Sequence, residues 1–188
     1  MDIDRLRTAS KECEKILMRI WGHDVKYRIM EGDQCKEDVE QGVISCSEMD
    51  MREWGYSIAK EANLPKDAGE RIVLGHSLSH LYARKLNGCM YQETTLHHPS
   101  LIHVLTVAAV VDVATKWMLD EMGYDGSKLM KVRQKKLEQR QKKLFKHYME
   151  IYDSLVGETP QKLVEFVENY KMDSERDSFK MLECLMGE

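Results

Sequence analysis

PSLIHVLTVAAVVDVATKWMLDEM, residues 99–122, is the stretch that decides the fold. Its apolar residues lie on every side of a helix with 3.6 residues per turn, which is typical of a helix surrounded by other elements. Pro99 suits the first helical position, because the N–H it lacks would have no partner there. Polar residues interrupt the apolar run, among them His103, Thr106, Asp112 and Lys116. We therefore expect a buried core helix, and no membrane span.

Amphipathic helices are predicted on both sides of this central helix. Apolar residues recur at spacings of three and four in most of them, and Gly or Pro residues mark their ends. The predicted ranges are 4–21, 47–62, 66–86, 127–156, a helix that begins at Thr159-Pro160, and a last one that carries Phe179 and Leu182. The fold class is therefore all-α: a bundle of about six to seven helices around the apolar central helix.

A short β element is also predicted, near residues 24–46. Val25, Tyr27 and Ile29 alternate with polar residues, which is the period of a strand. The sequence GVISC (Gly42 to Cys46) is the expected partner in a minor hairpin. The segment between the two stretches could also form a helical turn.

Composition favours one domain that covers residues 1–188. The chain is 43% hydrophobic and 32% charged, and it has only three prolines and eleven glycines. The beginning, MDIDRLR, does not have the pattern of a signal peptide. Five irregularly spaced cysteines without a CxxC pair are typical of reduced thiols, so we expect a cytoplasmic location.

Charge is distributed unevenly, although the net charge is only −4. Residues 31–53 hold eight acids and two bases, whereas residues 128–146 hold nine bases and one acid, Glu138. Between Arg133 and Lys143 only Leu137 is apolar. The long predicted helix 127–156 therefore cannot be fully buried there, and it projects or covers a partner.

The basic helix is the leading candidate for a binding surface. A run of bases can neutralise the phosphates of a nucleic acid. The residues we expect to do so are Lys131, Arg133, Lys135, Lys136, Arg140, Lys142 and Lys143. The alternatives are an acidic protein surface, a second copy of the chain in a homo-oligomer, and a solvated helix that pairs with the acidic segment of its own chain.

Histidines are concentrated in residues 75–103, which hold five of the seven in the chain. Two of them are four residues apart, on one face of a helix, a spacing that can present two imidazoles to one metal ion. The candidate metal ligands are His76, His80, His98 and His103, and the ion would be zinc or a similar divalent metal. The alternative is that these histidines form ordinary hydrogen bonds on helix flanks. No HExxH motif is present, and no other cofactor is predicted.

Two further groups could carry chemistry. Cys89 with His97 or His98 could form a nucleophile and a base, but nothing in the sequence orients the pair. Asp112 lies in the apolar helix, where Lys116, four residues later, offers it an ion pair. Both are interpreted as structural, which favours a non-enzymatic protein.

The window 49–76 resembles two kinds of DNA-binding unit. Two helices that meet near Asn63 are similar to a helix-turn-helix, although Gly69 stands where a branched apolar residue is usual. The same window resembles part of the tyrosine recombinase family, through Asp50-Met51-Arg52, Asn63-Leu64-Pro65 and Leu74-Gly75-His76. That resemblance implies that Arg52 and His76 contact a scissile phosphate.

The resemblance covers about thirty of the 188 residues, and it departs from the recombinase pattern at several points. Met49 replaces the family's histidine, Lys85 stands where its nucleophilic tyrosine is expected, and one extra residue lies between Pro65 and Gly75.

We therefore expect a non-enzymatic cytosolic helical protein that binds an acidic partner, with nucleic acid favoured. Three alternatives stay open: a metal-dependent helical protein, such as a hydrolase; a structural or oligomeric interaction module; and a degenerate tyrosine-recombinase-like DNA-binding protein.

Overall fold

The structure, a computed structural model, describes residues 2–38, 40–88 and 101–171. Its elements in chain order are α1 (Ile3–Trp21), β1 (Arg28–Glu31), β2 (Lys36–Asp38), β3 (Val43–Cys46), α2 (Glu48–Asp50), a π-helical turn (Met51–Tyr56), α3 (Ser57–Glu61), α4 (Lys66–Leu86), α5 (Leu101–Glu121), α6 (Gly126–Arg140), α7 (Phe145–Val156) and α8 (Pro160–Asn169). The predicted class, an all-α bundle with a minor β element, is confirmed. The last predicted helix, with Phe179, lies outside the described residues.

Helix α5 is the centre of the bundle, as its apolar sequence predicts. It packs against α1, α4, α6, α7 and α8, and all six residues from Ala109 to Ala114 are fully buried. By length and composition α5 could cross a membrane, but 72% of its most apolar window is buried by the rest of the protein. Its hydrophobic residues therefore form the core of the fold.

The helix ends follow local sequence signals. The side chain of Asp2 accepts a hydrogen bond from the N–H of Arg5 at the start of α1, and α1 ends at Gly22 with a φ of 74°. Thr159 caps α8 in the same way, and Pro160 occupies the first helical position. These caps satisfy backbone groups that a helix end would otherwise leave without partners.

The β element is a three-stranded sheet and not the expected hairpin. The strand order is β1-β3-β2, with β3 parallel to β1 and antiparallel to β2. The segment expected to be a connector, or a helical turn, supplies β2. Ile44 and Cys46 of β3 are fully buried, which explains why β3 takes the middle position.

The predicted basic helix 127–156 is divided into two helices. α6 ends at Arg140, the backbone turns through residues 141–144, and α7 begins at Phe145. Both helices pack against α5, so the segment does not project as one long arm. Leu144, in the turn, and Tyr148, on α7, are buried in the core.

A close glycine contact fixes the helices before and after Asn63. A Cβ atom on Gly55 would lie 2.5 Å from the carbonyl oxygen of Gly69, and a Cβ on Gly69 would lie 2.5 Å from that of Gly55. Only glycine allows the two backbones to approach so closely. The contact holds the π-helical turn against α4 and explains Gly69, which fits a helix-turn-helix poorly.

Candidate functional site

Asp112 is the centre of a buried polar cluster in the bundle. Its carboxylate on α5 is fully buried and accepts hydrogen bonds from three other helices. Arg133 Nε on α6 lies 2.7 Å from both carboxylate oxygens. Tyr148 on α7 donates its hydroxyl to Oδ2 at 2.9 Å, and His76 Nδ1 on α4 lies 3.0 Å from Oδ1. Four helices, α4 to α7, therefore meet at one carboxylate.

The protonation states within this cluster follow from its geometry. Burial alone would raise the pKa of Asp112, but the charge of Arg133 and the hydrogen bond from His76 outweigh burial and hold that pKa well below its usual range. Burial and the carboxylate of Asp112 raise the pKa of Tyr148 well above its ordinary value. Asp112 is therefore ionised, and the hydroxyl of Tyr148 keeps its proton to donate.

His76 continues the cluster toward His80, one turn later on α4. Their Nε2 atoms lie 3.2 Å apart, and Glu37 Oε1 on β2 lies 3.5 Å from His80 Nε2. Burial, together with the nearby His76 and Arg133, lowers the pKa of His80 well below its ordinary value, against the opposing effect of Asp112. His80 is therefore neutral near pH 7, and one of the two Nε2 atoms donates to the other.

The ring of Trp54 packs against two members of this cluster, Arg133 and His76. It lies on the π-helical turn, and the guanidinium carbon of Arg133 is 4.4 Å from its ring centroid. The ring of His76 is 6.0 Å away, centroid to centroid. Arg133 therefore combines an ion pair with a cation–π contact, which explains how its charge is accommodated with only 10% of the side chain exposed.

Only part of the predicted histidine set comes together. His76 and His80 are in contact, whereas His103 is bonded through Nδ1 to the hydroxyl of Tyr170 at 3.0 Å. His98 lies outside the described residues, as do His97 and Cys89. Across residues 2–38, 40–88 and 101–171, no group of three or more His, Cys, Asp or Glu side chains is arranged to hold a metal ion.

A cavity of about 480 Å³ opens beside His76, and we call it the Cys35 cavity. Its lining residues are Asp33, Gln34, Cys35, Glu37, Met49, Asp50, Trp54, Val73, His76 and Ser77. The wall is acidic on the side of the sheet and aromatic on the side of the π-helical turn. The buried polar cluster therefore reaches solvent through His76.

The predicted nucleic-acid ligands divide into an outward set and an inward set. The exposed side chains are Lys131, Lys135, Arg140, Lys142 and Lys143. Lys136 is half-buried and lies 2.7 Å from Ser57 Oγ and 3.4 Å from Glu61 Oε2. Arg133 faces inward to Asp112. Its geometry makes it a structural residue, because its guanidinium is already occupied by a carboxylate and a ring.

A second cavity, of about 390 Å³, lies between α6 and the π-helical turn. We call it the Leu137 cavity. Its apolar wall consists of Trp54, Ile58 and Leu137. Three bases also line it: Arg133, Lys136 and Arg140. Trp54 lines both cavities, so it stands between the two.

The two residues implied by the recombinase resemblance are not brought together at one site. Arg52 is 70% exposed and pairs with Glu48, and it lines a small cavity beside α1. His76 lines the Cys35 cavity and is bonded to Asp112. Helix α4, the second helix of the helix-turn-helix pattern, is mostly buried, so it offers no exposed face for a DNA groove.

The prediction from the sequence that Lys116 forms an ion pair with Asp112 was wrong. Lys116 binds Asp120 at 2.5 Å, and Arg133, 21 residues from Asp112, takes the place assigned to Lys116. A signal for this existed, because Arg133 follows the buried Leu129 and Met130 at helical spacing and so lies on the apolar face of α6. Trp54 and Tyr148 also lie on the apolar faces of their predicted segments, but the sequence did not indicate that they contact Arg133 and Asp112.

Comparison with protein-family models, with curated proteins and with solved structures finds no match to this chain.

Proposed function

We propose that this protein binds nucleic acid through a basic surface on α6, the turn after it and the start of α7. The basic surface consists of exposed residues: Lys128, Lys131, Lys135, Arg140, Lys142, Lys143 and Lys146. One observation carries the proposal: these seven bases face solvent while Glu138 is the only acid in the same stretch. Such a surface attracts a polyanion by charge and by counterion release.

Internal pairing neutralises little of this surface. Lys128 lies 3.2 Å from Asp125. In the part of the chain that the structure describes, Lys131, Lys135, Arg140, Lys142 and Lys146 have no ion pair. Neighbouring like charges repel one another, and a row of phosphates relieves that repulsion. Within the acidic segment of the same chain, strand β2 packs against α4, and Glu53 lines the Leu137 cavity beside Arg140.

The Leu137 cavity favours a single strand over a duplex. It places the aromatic ring of Trp54 and the apolar Ile58 and Leu137 beside the bases Lys136 and Arg140. Proteins that bind single strands combine a basic track for the backbone with apolar or aromatic surfaces on which bases stack. We therefore expect an unpaired base to enter this cavity while the phosphates follow the basic surface.

The test is the salt dependence of binding to a fluorescent single-stranded oligonucleotide, with the matching duplex as comparison. The double variant Lys131→Glu, Lys135→Glu should bind more weakly, and its log–log salt slope should fall by about 0.7 for each lost phosphate contact. The control is Lys15→Glu, Lys26→Glu, which makes the same charge change at two exposed positions outside the basic surface.

Two results would contradict the proposal. Binding that stays undetectable at low salt removes nucleic acid as the partner and leaves an acidic protein surface. Equal weakening in both double variants shows that net charge, and not this surface, governs binding.

A second candidate function, divalent-metal binding, is favoured by one specific observation. Two imidazole nitrogens bound to one tetrahedral ion lie about 3.3 Å apart, and the Nε2 atoms of His76 and His80 are 3.2 Å apart. Asp112 on the far nitrogen of His76 is the partner that metal-bound histidines commonly have. The pair supplies two ligands. Glu37 Oε1 lies 3.5 Å from His80 Nε2, but the described residues hold no complete set of three ligands.

Zinc titration followed by thermal unfolding tests the metal candidate. Protein purified without a histidine tag should gain thermal stability at one equivalent of zinc, and His80→Gln should abolish the gain. His103→Gln is the control, because His103 lies on α5, apart from the pair on α4, and bonds to Tyr170. No gain in the parent protein, or an equal gain in both variants, rules out this pair as the site.

A further inference from the structure

Cys35 and Cys46 lie opposite each other at the end of the small sheet. The last paired residues of β2 and β3 are Lys36 and Ser45, so the next antiparallel pair is Cys35 with Cys46. Side chains directly opposite each other in an antiparallel pair lie on the same face of the sheet, with Cβ atoms about 4.5–5.5 Å apart. In the part of the chain that the structure describes, both are free thiols.

The backbone around this pair suits a disulfide bond. The N–H of Cys35 donates to Asp50 Oδ2, and the carbonyl of Cys46 accepts from the N–H of Gly32. Cys35 and Cys46 therefore do not use these groups to bond to each other, as in a non-hydrogen-bonded antiparallel pair, where the Cα atoms lie about 4.5 Å apart. That separation falls within the range of about 4.4–6.8 Å found in disulfides.

The two thiols differ in access and in acidity. Cys35 is half-buried and lines the Cys35 cavity, whereas Cys46 is fully buried. The hydrogen bond from Cys46 lowers the pKa of Cys35 against the effect of burial, and the N–H of Ser47 adds to the lowering at 3.2 Å from the sulfur. The same hydrogen bond, with burial, raises the pKa of Cys46. Cys35 is therefore the thiol that reacts first.

We propose that Cys35 and Cys46 form a dithiol site that is oxidised by small neutral hydroperoxides entering the Cys35 cavity. The Cys35 thiolate attacks the terminal oxygen of ROOH, the O–O bond breaks, and the leaving alkoxide takes a proton to become ROH. Cys46 then attacks the sulfur of the Cys35 sulfenic acid, and the hydroxyl leaves as water with the proton of Cys46. Two electrons pass from the dithiol to the peroxide, and a Cys35–Cys46 disulfide remains.

Charge at the cavity selects the class of oxidant. Asp33, Glu37 and Asp50 line the same cavity as Cys35, so they repel anionic oxidants such as glutathione disulfide. A neutral hydroperoxide meets no such barrier. Cys46 needs no access to solvent, because its attack is intramolecular and it lies directly opposite Cys35 in the strand register.

Peptide mapping of the full chain tests the proposal. Trypsin cuts after Lys36, so it separates the two cysteines into peptides 29–36 and 37–52. After treatment with a small excess of hydrogen peroxide and alkylation of the remaining thiols, these peptides should appear as one linked species, lighter by two hydrogens than their sum. Cys13→Ser should give the same species, because burial raises the pKa of Cys13 to about 12 and keeps it unreactive.

Two further variants separate the steps. Cys46→Ser should give no linked species and should accumulate Cys35 sulfenic acid, which a cyclic 1,3-dione traps. Cys35→Ser should give neither the linked species nor a label on Cys46. Asp33→Asn should react faster than the parent with glutathione disulfide and at an unchanged rate with hydrogen peroxide.

The parent protein alone can overturn the proposal, so the result does not depend on the folding of a variant. Oxidation of Cys35 to sulfinic acid without the linked species excludes Cys46 as its partner. A dominant disulfide to any other cysteine, or to a second chain, excludes the site as described. An equal rate for both oxidants in the parent excludes the selection by charge.

Discussion

Arg133 and Lys135 are two bases on the same turn of α6, and they have opposite environments. Arg133 faces inward, bonded to Asp112 and stacked on Trp54, whereas Lys135 faces solvent on the basic surface. A charge run is therefore not one functional unit, because a helix presents successive residues to different surroundings. The inward base is expected to govern stability and the outward base to govern binding.

The largest expected effect is the loss of the buried ion pair. Arg133→Met keeps an unbranched apolar stem but leaves Asp112 buried without its cationic partner, which should cost about 3–5 kcal/mol in the free energy of unfolding. Lys135→Met, the matched control on the same helix, should change it by less than about 0.5 kcal/mol. Urea unfolding followed by circular dichroism measures both. Similar losses in the two variants would break the distinction between inward and outward bases.

A smaller loss in the free energy of unfolding is expected from a substitution where the backbones of the π-helical turn and α4 meet. Gly69→Ala places a methyl group 2.5 Å from the backbone oxygen of Gly55, so the turn that carries Trp54 must shift. We expect a loss of about 2 kcal/mol, with a parallel change in tryptophan fluorescence. Gly157→Ala has open space around its new methyl group and should be nearly neutral. A neutral Gly69→Ala would show that the close approach does not hold Trp54.

The pH dependence of stability should reveal the buried His80. Its pKa is lowered in the folded state, so below about pH 6.5 the unfolded chain binds a proton that the folded protein does not. Stability should therefore fall by about 1 kcal/mol between pH 7.5 and 5.5. Asp112 does not contribute in this window, because its carboxylate is ionised in both states.

His80→Gln isolates this contribution. Urea titrations of the parent and the variant at both pH values should show a smaller fall for the variant. His103→Gln should retain the fall of the parent protein. If the parent and His80→Gln lose the same stability on acidification, His80 is not the group responsible.

The smallest expected effect on stability belongs to the basic surface itself. Lys131→Glu with Lys135→Glu should leave the free energy of unfolding within about 1 kcal/mol of the parent value, because both side chains are exposed and have no ion pair in the described part of the chain. The same variant should show the reduced salt slope in oligonucleotide binding. A large loss of stability would show that these bases belong to the fold.

Regular local signals were sufficient for most of the helices. The caps at Asp2, Gly22 and Pro160 and the break at Asn63 depend on residues within a few positions in the chain, so their physics is local. The end of α6 at Arg140 was missed. Apolar residues recur at a spacing of seven on both sides of the turn, so the local pattern continues through it and does not indicate the break.

The candidate sites were predicted less completely, for a similar reason. The sequence placed His76 and His80 on one helix face, and the structure brings their Nε2 atoms together. His103 is nine residues from Asp112 on α5, about 14 Å along a helix axis, and it bonds to Tyr170 instead. The pairing of Cys35 with Cys46 follows from strand register, and the short polar strand β2 had no clear pattern of its own.

By itself the sequence determined the all-α class, the central position of residues 101–121 and the concentration of bases after residue 127, because periodicity and charge are properties of the chain. Only the tertiary structure decided which partner each polar group takes. Asp112 could have paired with Lys116 one turn away, but Arg133 and Tyr148 reach it from neighbouring helices, and burial requires that a charge be fully satisfied. That requirement, met across four helices, turned Arg133 inward, whereas seven other bases of the run face solvent.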